Sequence, residues 1–129
     1  WHHAPEYAEE NELYKPVHQK HPCTLWAMET RSNYAFAWLT YQSMLNEYTH
    51  RYGKNHGAGK HALALFKGTK YIPEGGMTPH PQCFSGHDDC KTEENYPVEA
   101  YRAFYKRDKM GFARWNKNRA MPEWLQAVA

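Results

Sequence analysis

The sequence predicts a mainly α fold, a compact single-domain helical bundle with a long irregular loop at about residues 67–96. Between residues 34 and 52, large apolar residues recur at intervals of four and three, which places them on one face of an α-helix. A second helical period follows Pro97. The 129 residues are one domain's length, and neither an internal repeat nor a linker divides them.

The composition is that of a globular protein with many aromatic rings in its core. Hydrophobic residues make up 41% of the chain and charged residues 23%, which excludes a disordered protein, and 16% of residues are aromatic. The net charge is only +2, so attraction to a polyanion has to come from a local patch. Nine histidines would make such binding depend on pH.

The cysteine count and the hydropathy pattern indicate a cellular location. The three cysteines cannot all pair within one chain, which favours a reducing compartment. No apolar run reaches the roughly 18 residues that span a bilayer, and no signal-peptide pattern opens the chain. We therefore expect a cytoplasmic protein without membrane association. The chain begins with Trp1 and not with Met, so we also expect that an upstream N-terminal segment is missing.

The helices of the first half follow from proline, serine and glycine signals. The first twenty residues show no period and predict an irregular arm with one short turn. Pro22, in a first helical turn, predicts a short helix that runs to Met28. Ser32 is the predicted N-cap of a long helix that ends at Tyr52, with Gly53 as its left-handed C-cap.

The second half alternates short apolar segments with loop. Residues 61–66 predict a short buried helix, and the Gly- and Pro-rich residues 67–96 predict the loop, whose length is typical of function or a metal clip. Pro97 begins a helix whose apolar positions continue to Phe112, and Trp124 with Leu125 should dock on the core. The opposite face of this helix and the segment after it are basic, with Arg102, Lys106, Arg107, Lys109, Arg114, Lys117 and Arg119.

An aromatic stripe lies along one side of the predicted long helix. Nucleobases stack on such rings with roughly 1–3 kcal/mol per base, but stripes at helical spacing more often face the core, and both interpretations stay open. The stacking candidates are Trp38, Tyr48 and, in the later helix, Tyr105. The stripe consists of Tyr34, Trp38, Tyr41, Leu45, Tyr48 and Tyr52.

Polar groups near this helix are candidates for anion binding and proton transfer. Glu47 and His21 are the candidate catalytic acid–base groups. A Glu four residues before an Arg is also the usual pattern of a structural ion pair, so Glu47 with Arg51 has that second interpretation. The candidate phosphate-binding or nucleic-acid-binding residues are Asn33, Arg51, Lys54, His56 and Arg102.

The loop carries a metal-ligand pattern. His80, Cys83, His87 and Cys90 form H-x2-C-x3-H-x2-C, which makes zinc the candidate cofactor because thiolate and imidazole are ligands that Zn²⁺ prefers. Four ligands within eleven residues are more closely spaced than in common zinc fingers, and a site with four protein ligands would be structural. Asp88 and Asp89 offer a weaker hard-cation alternative.

Five motifs together resemble a family of small proteins encoded by tailed bacteriophages. The similarity covers most of the chain, and the motifs that carry it are HPCTLW, RSNYAFAW, LNEYTHRYGKNH, PVEAYRAFYKRDK and MPEW. Relatives in that family carry an upstream segment with a DKH-type motif, which this chain lacks. That segment is similar to pyrimidine-dimer DNA glycosylases, so the resemblance implies a role in DNA repair by analogy. The His80 to Cys90 pattern is not part of the family's motifs.

The leading functional hypothesis is a phage-type protein that binds nucleic acid or a nucleotide, with DNA base processing as the reaction if it is an enzyme. DNA or a nucleotide is the expected partner, and a host bacterium's cytoplasm the expected location. The alternative is a non-enzymatic helical module for protein interaction, clipped by structural zinc. The sequence leaves the oligomeric state open.

Overall fold

The computed structural model describes residues 1–126, which contain five α-helices and no β-strand. The mainly α prediction is therefore confirmed. These residues form two compact units, one from Trp1 to Thr78 and one that begins at Pro79, and the single-domain prediction stays a prediction. The helices are α1 (Pro5–Glu10), α2 (Pro22–Ala27), α3 (Arg31–Tyr52), α4 (Ala62–Lys67) and α5 (Pro97–Asp108), with 3₁₀ helices at Gly57–His61, Gly68–Tyr71, Asp88–Cys90 and Glu123–Leu125.

The ends of α3 show one wrong and one confirmed prediction. The N-cap is Thr30 and not Ser32, because the Thr30 hydroxyl accepts a hydrogen bond from the Asn33 N–H at 3.1 Å. Gly53 ends the helix in the left-handed conformation, with φ of 67°, as predicted. The first twenty residues are more regular than predicted, because they include α1, whose Ala8 is buried.

The aromatic stripe packs against the chain segment 58–65. Its polar tips donate hydrogen bonds to backbone carbonyls of that segment: Tyr34 Oη to Leu65 at 2.7 Å, Trp38 Nε1 to Ala62 at 3.0 Å, and Tyr41 Oη to Ala58. Tyr7 of α1 donates in the same way to Ala64 at 2.7 Å. The side chain of Leu45 lies against Gly59. The first four stripe positions therefore face the core.

The predicted buried helix at residues 61–66 is only partly correct. The α-helix is α4, and within it no residue is fully buried. His61, at the end of the preceding 3₁₀ helix, is buried, whereas Leu63 is 63% exposed and Phe66 59% exposed. A helix of six residues packs one side on α3 and leaves the other side in solvent.

The start of α3 holds the segment 70–78 in place. The backbone N–H groups of Arg31 and Ser32, which have no partner inside the helix, donate to the carbonyls of Pro73 and Gly75 at 2.9 and 3.3 Å. The Arg31 guanidinium donates from Nε to the Ile72 carbonyl at 3.0 Å. Asn33, the largest fully buried side chain, donates to the Trp26 carbonyl and to Thr78 Oγ1, and accepts from the Thr78 N–H at 2.9 Å.

In the second unit, a loop folds over α5. Phe84, Cys90 and Ala100 form its buried core, and Phe84 stacks on Phe104 with ring centroids 4.9 Å apart. Tyr101 Oη donates to the Pro81 carbonyl at 2.6 Å. The predicted loop is confirmed as mainly irregular, with two short 3₁₀ helices in it.

The C-terminal end of α5 and the position of Trp124 are two further features of the second unit. The helix after Pro97 is shorter than predicted, since α5 ends at Asp108 and leaves Phe112 67% exposed. Trp124 lies beside Tyr105 on α5, with ring centroids 6.5 Å apart. Tyr105 is 42% exposed, so the predicted docking on the core stays a prediction.

Asn33→Ala should lower the free energy of unfolding by about 2–4 kcal/mol, because it leaves the buried Trp26 carbonyl and Thr78 N–H without this partner. Urea unfolding followed by circular dichroism measures this change. Asn46→Ala, at an exposed position of the same helix, is the control and should change stability by less than about 0.5 kcal/mol. Equal effects of the two substitutions would contradict the structural role of Asn33.

Burial, with a further contribution from neighbouring Tyr7, raises the pKa of Tyr34 from 10.0 to about 12. The unfolded chain loses this proton near pH 10.0 while the folded protein retains it to about pH 12, so Tyr34 stabilises the fold fully below pH 10.0 and progressively less up to about pH 12. Urea unfolding across this range should show stability falling more steeply for the wild type than for Tyr34→Phe. Leu39→Ala, at an exposed position of the same helix and without a titratable group, is the control and should retain the wild-type slope.

Candidate functional site

Three rings come together where α3 ends, and we call Tyr48, Tyr52 and His56 the ring cluster. The Tyr48 ring lies 4.7 Å from the Tyr52 ring and 4.8 Å from the His56 ring, centroid to centroid. The left-handed turn at Gly53 reverses the chain direction, so His56 returns against Tyr48. Tyr52 is 62% exposed and His56 is exposed. The ring cluster is thus a surface that presents aromatic faces and edges to solvent.

The hydrogen bonding of His56 assigns its tautomer. Its Nδ1 accepts a hydrogen bond from the Ala58 N–H at 3.1 Å and so caps the 3₁₀ helix Gly57–His61. In the neutral ring the proton then resides on Nε2, which is a hydrogen-bond donor. His56 can therefore donate to an acceptor such as a phosphate oxygen while its other nitrogen orders the backbone.

Charged side chains accompany the ring cluster. Glu47 and Arg51 form the predicted ion pair, with 2.8 Å between Oε1 and Nε, and their side chains are 34% and 31% exposed. Lys54 lies in the turn after Gly53 and is exposed. Arg51 follows Tyr48 by three positions, which makes the two side chains neighbours on the helix surface. Two cations thus lie close to the rings in sequence and on the surface of the first unit.

The structure places Asn33 and His21 away from this cluster. Asn33 is fully buried with its side-chain hydrogen bonds inside the unit, so it is not accessible to a phosphate and its predicted binding role is wrong. His21 caps α2, where its Nδ1 accepts from the Cys23 N–H at 3.1 Å. The Trp26 carbonyl of α2 is hydrogen-bonded to Asn33, so α2 lies at the start of α3. Glu47 is 14 residues after Asn33, which is about 21 Å along the axis of α3. Because α2 is only about 9 Å long, His21 at its N-terminus cannot reach Glu47. The two candidate catalytic groups do not share a site.

The two other stacking candidates have different surroundings. Trp38 donates its indole N–H to Ala62 and lies 5.4 Å from the Phe66 ring, so it is used in packing the first unit. Tyr105 belongs to the second unit, is 42% exposed and lies beside Trp124. Arg102 lies over the Trp124 ring, with 5.3 Å between its guanidinium carbon and the ring centroid.

The structure does not assemble the predicted metal ligands. Cys90 lies in the apolar core of the second unit, and His87 Nδ1 is 3.3 Å from a carboxylate oxygen of Asp108. His80 Nδ1 is hydrogen-bonded to the Pro81 carbonyl. Within residues 1–126, no three members of the set His80, Cys83, His87 and Cys90 bring ligand atoms within 4.8 Å of one another. Burial of Cys90 among rings and the pairing of His87 account for this separation.

Tyr52 and Trp124 have no site role in the functional predictions made from the sequence. Tyr52 is the last residue of the aromatic stripe. The 58–65 segment does not extend far enough along α3 to cover it, so its ring is exposed. The sequence contained one signal for this exposure: the stripe is much longer than the apolar segment at residues 61–66. Trp124 was expected only to dock, and nothing in the sequence indicated that a cation would lie on its ring.

Comparison with protein-family models, with curated proteins and with solved structures gave no match. Among the helices that the structure describes, none combines the length and the apolar character required to cross a membrane.

Proposed function

We propose that this protein binds nucleic acid that is single-stranded or locally unpaired, with a base stacked on the ring cluster and phosphate held by Arg51 and Lys54. The supporting observation is the exposed ring cluster, with Arg51 in the same last turn of α3 and Lys54 in the turn that follows. Base–aromatic stacking contributes roughly 1–3 kcal/mol per base and needs no particular sequence. The His56 Nε2–H adds a hydrogen-bond donor of the kind that binds phosphate or a base edge.

The helix dipole makes the cations necessary. The ring cluster lies at the C-terminal end of α3, where the unpaired carbonyls carry partial negative charge and repel an anion. A phosphate at this end is stable only if side-chain cations outweigh the dipole; Arg51 occupies the last turn and Lys54 lies just beyond it. We therefore expect affinity to fall steeply with salt. For each phosphate contact, the logarithm of the association constant should decrease by about 0.7 when the salt concentration rises tenfold.

The resemblance to the phage family extends this proposal to base processing. Removing a base needs a group that transfers a proton, and Glu47 is the candidate next to the ring cluster in the chain. Its carboxylate is paired with Arg51, so both groups would be held in position for a bound nucleotide. Flipping a base out of a duplex costs a few kcal/mol, and less at a damaged site, which favours unpaired or lesion-containing DNA as substrate.

A protein-interaction module is the second candidate. Outside the stripe, α3 exposes three large apolar residues: Phe36 is 49% exposed, Leu39 59% and Met44 68%. Exposed apolar residues of this kind are candidate contacts for a protein partner. A module of this class should show no binding of oligonucleotides even at low salt, which separates it from the first candidate.

The double substitution Arg51→Gln with Lys54→Gln should weaken binding of a labelled oligothymidine and lower the steepness of its salt dependence by about 1.4 logarithmic units per decade, the value for two lost phosphate contacts. Fluorescence anisotropy titrations at several salt concentrations measure both quantities. Lys20→Gln with Lys67→Gln is the control, because it makes the same charge change at exposed positions elsewhere in the first unit. An equal effect of both pairs would show that only net charge matters and would count against the site.

Tyr52→Ala should weaken oligothymidine binding by about tenfold through loss of base stacking, with an unchanged salt dependence. Tyr96→Ala, at a comparably exposed tyrosine of the second unit, is the control. Circular dichroism checks that both variants fold. Unchanged affinity of the Tyr52 variant would remove the ring cluster from the proposed function.

A further inference from the structure

The cations of α5 fall into two groups with different surroundings. Arg107 is ion-paired with Asp89 and Asp108, at the edge where the loop packs on the helix. Arg102, Lys106 and Lys109 follow one another at intervals of four and three, so they form a stripe along the helix. Arg102 and Lys106 are exposed, and Lys109, at the C-cap, is half-buried. Within residues 1–126, none of the ion pairs includes a member of this stripe, which we call the α5 basic face.

Charge is unevenly distributed along this unit. Residues 102–119 contain seven Lys or Arg residues and one acid, Asp108, whereas residues 88–94 contain four acids and one lysine. Cations in the last turn of a helix stabilise it through the dipole, which accounts for Lys106 and for Lys109 at the C-cap. Arg102 lies mid-helix, where that explanation does not apply, and its like charge four residues before Lys106 costs a few tenths of a kcal/mol. Helix stability alone does not account for the α5 basic face.

Aromatic rings accompany these cations. The Arg102 guanidinium lies over Trp124, and the Lys109 Nζ lies between two rings, 5.0 Å from the centroid of Phe104 and 5.5 Å from that of Phe112. Phe112 is 67% exposed and Tyr105, which lies between Arg102 and Lys106 in sequence, is 42% exposed. Cations alternating with exposed rings are typical of surfaces that bind single-stranded nucleic acid, where cations contact phosphates and rings stack on bases.

We infer that the α5 basic face is a second nucleic-acid-binding surface, which takes single-stranded DNA or RNA through its phosphates at Arg102, Lys106 and Lys109 and its bases at Tyr105 and Phe112. A membrane surface fits less well, because an amphipathic helix binds lipid through a free apolar face. The apolar face of α5 is occupied by the core of its own unit. This inference uses only the second unit and does not rest on the proposed function of the first.

The test is the triple substitution Arg102→Gln, Lys106→Gln and Lys109→Gln in the full chain, with a labelled oligothymidine as the probe. Loss of three phosphate contacts should lower the steepness of the salt dependence by about 2 logarithmic units per decade. Lys91→Gln is the control, because Lys91 is also in the second unit but is paired with Asp88, and it should leave the slope unchanged. Circular dichroism checks the fold. If the triple variant does not fold, Lys106→Gln alone, at an exposed position, takes its place. This single substitution should lower the steepness of the salt dependence by about 0.7 logarithmic units per decade.

The outcomes separate this surface from the ring cluster. A triple variant with the wild-type slope overturns the inference, whatever the Arg51 and Lys54 variant does. A lowered slope in the triple variant supports it, even if the ring-cluster variants bind normally. Polyglutamate serves as an acidic polypeptide probe: if the wild type binds it as tightly as oligothymidine and Tyr105→Ala weakens neither, the surface recognises acidic proteins and the assignment to nucleic acid is wrong.

Discussion

The first unit depends on hydrogen bonds from aromatic tips to one backbone segment. Four donors, from Tyr7, Tyr34, Trp38 and Tyr41, reach carbonyls between Ala58 and Leu65. Short helices leave many carbonyl groups unpaired at their ends, and a buried carbonyl without a partner costs free energy. The rings therefore supply apolar contact and satisfy polar backbone at the same time. This pairing keeps α4, a helix of only six residues, in place on α3.

The same arrangement determines what part of α3 is exposed. The segment 58–65 covers the stripe as far as Leu45, and the chain reaches that segment by reversing at Gly53 and passing His56. Tyr48 and Tyr52 are the stripe positions beyond that cover, so they meet His56 and solvent. Packing along the first part of the helix thus leaves the rings at its C-terminal end exposed, in the same turn as Arg51.

Histidines take a shared structural role in this unit that bears on function. His21 and His56 both cap a helix by accepting a backbone N–H at Nδ1. A capping histidine keeps its Nε2 proton, so it is a hydrogen-bond donor in its neutral form and not a general base at that nitrogen. His56 therefore suits ligand binding better than proton abstraction. His21 caps α2, which packs at the start of α3 and away from the ring cluster.

Sequence periodicity alone determined much of this protein. Spacing, proline positions and the glycine after Tyr52 predicted the helical class, α2, α3 with its C-cap, the start of α5 and the Glu47–Arg51 pair, because these depend on residues within a few turns of one another. What depends on distant residues was decided only by the tertiary structure. Asn33 is buried and hydrogen-bonded to Trp26 and Thr78, and Cys90 lies in an apolar core. Arg107 is ion-paired with Asp89 and Asp108, and Tyr52 is exposed. Local propensities act along the chain, whereas burial and pairing depend on which segments pack together, and only the fold brings those segments into contact.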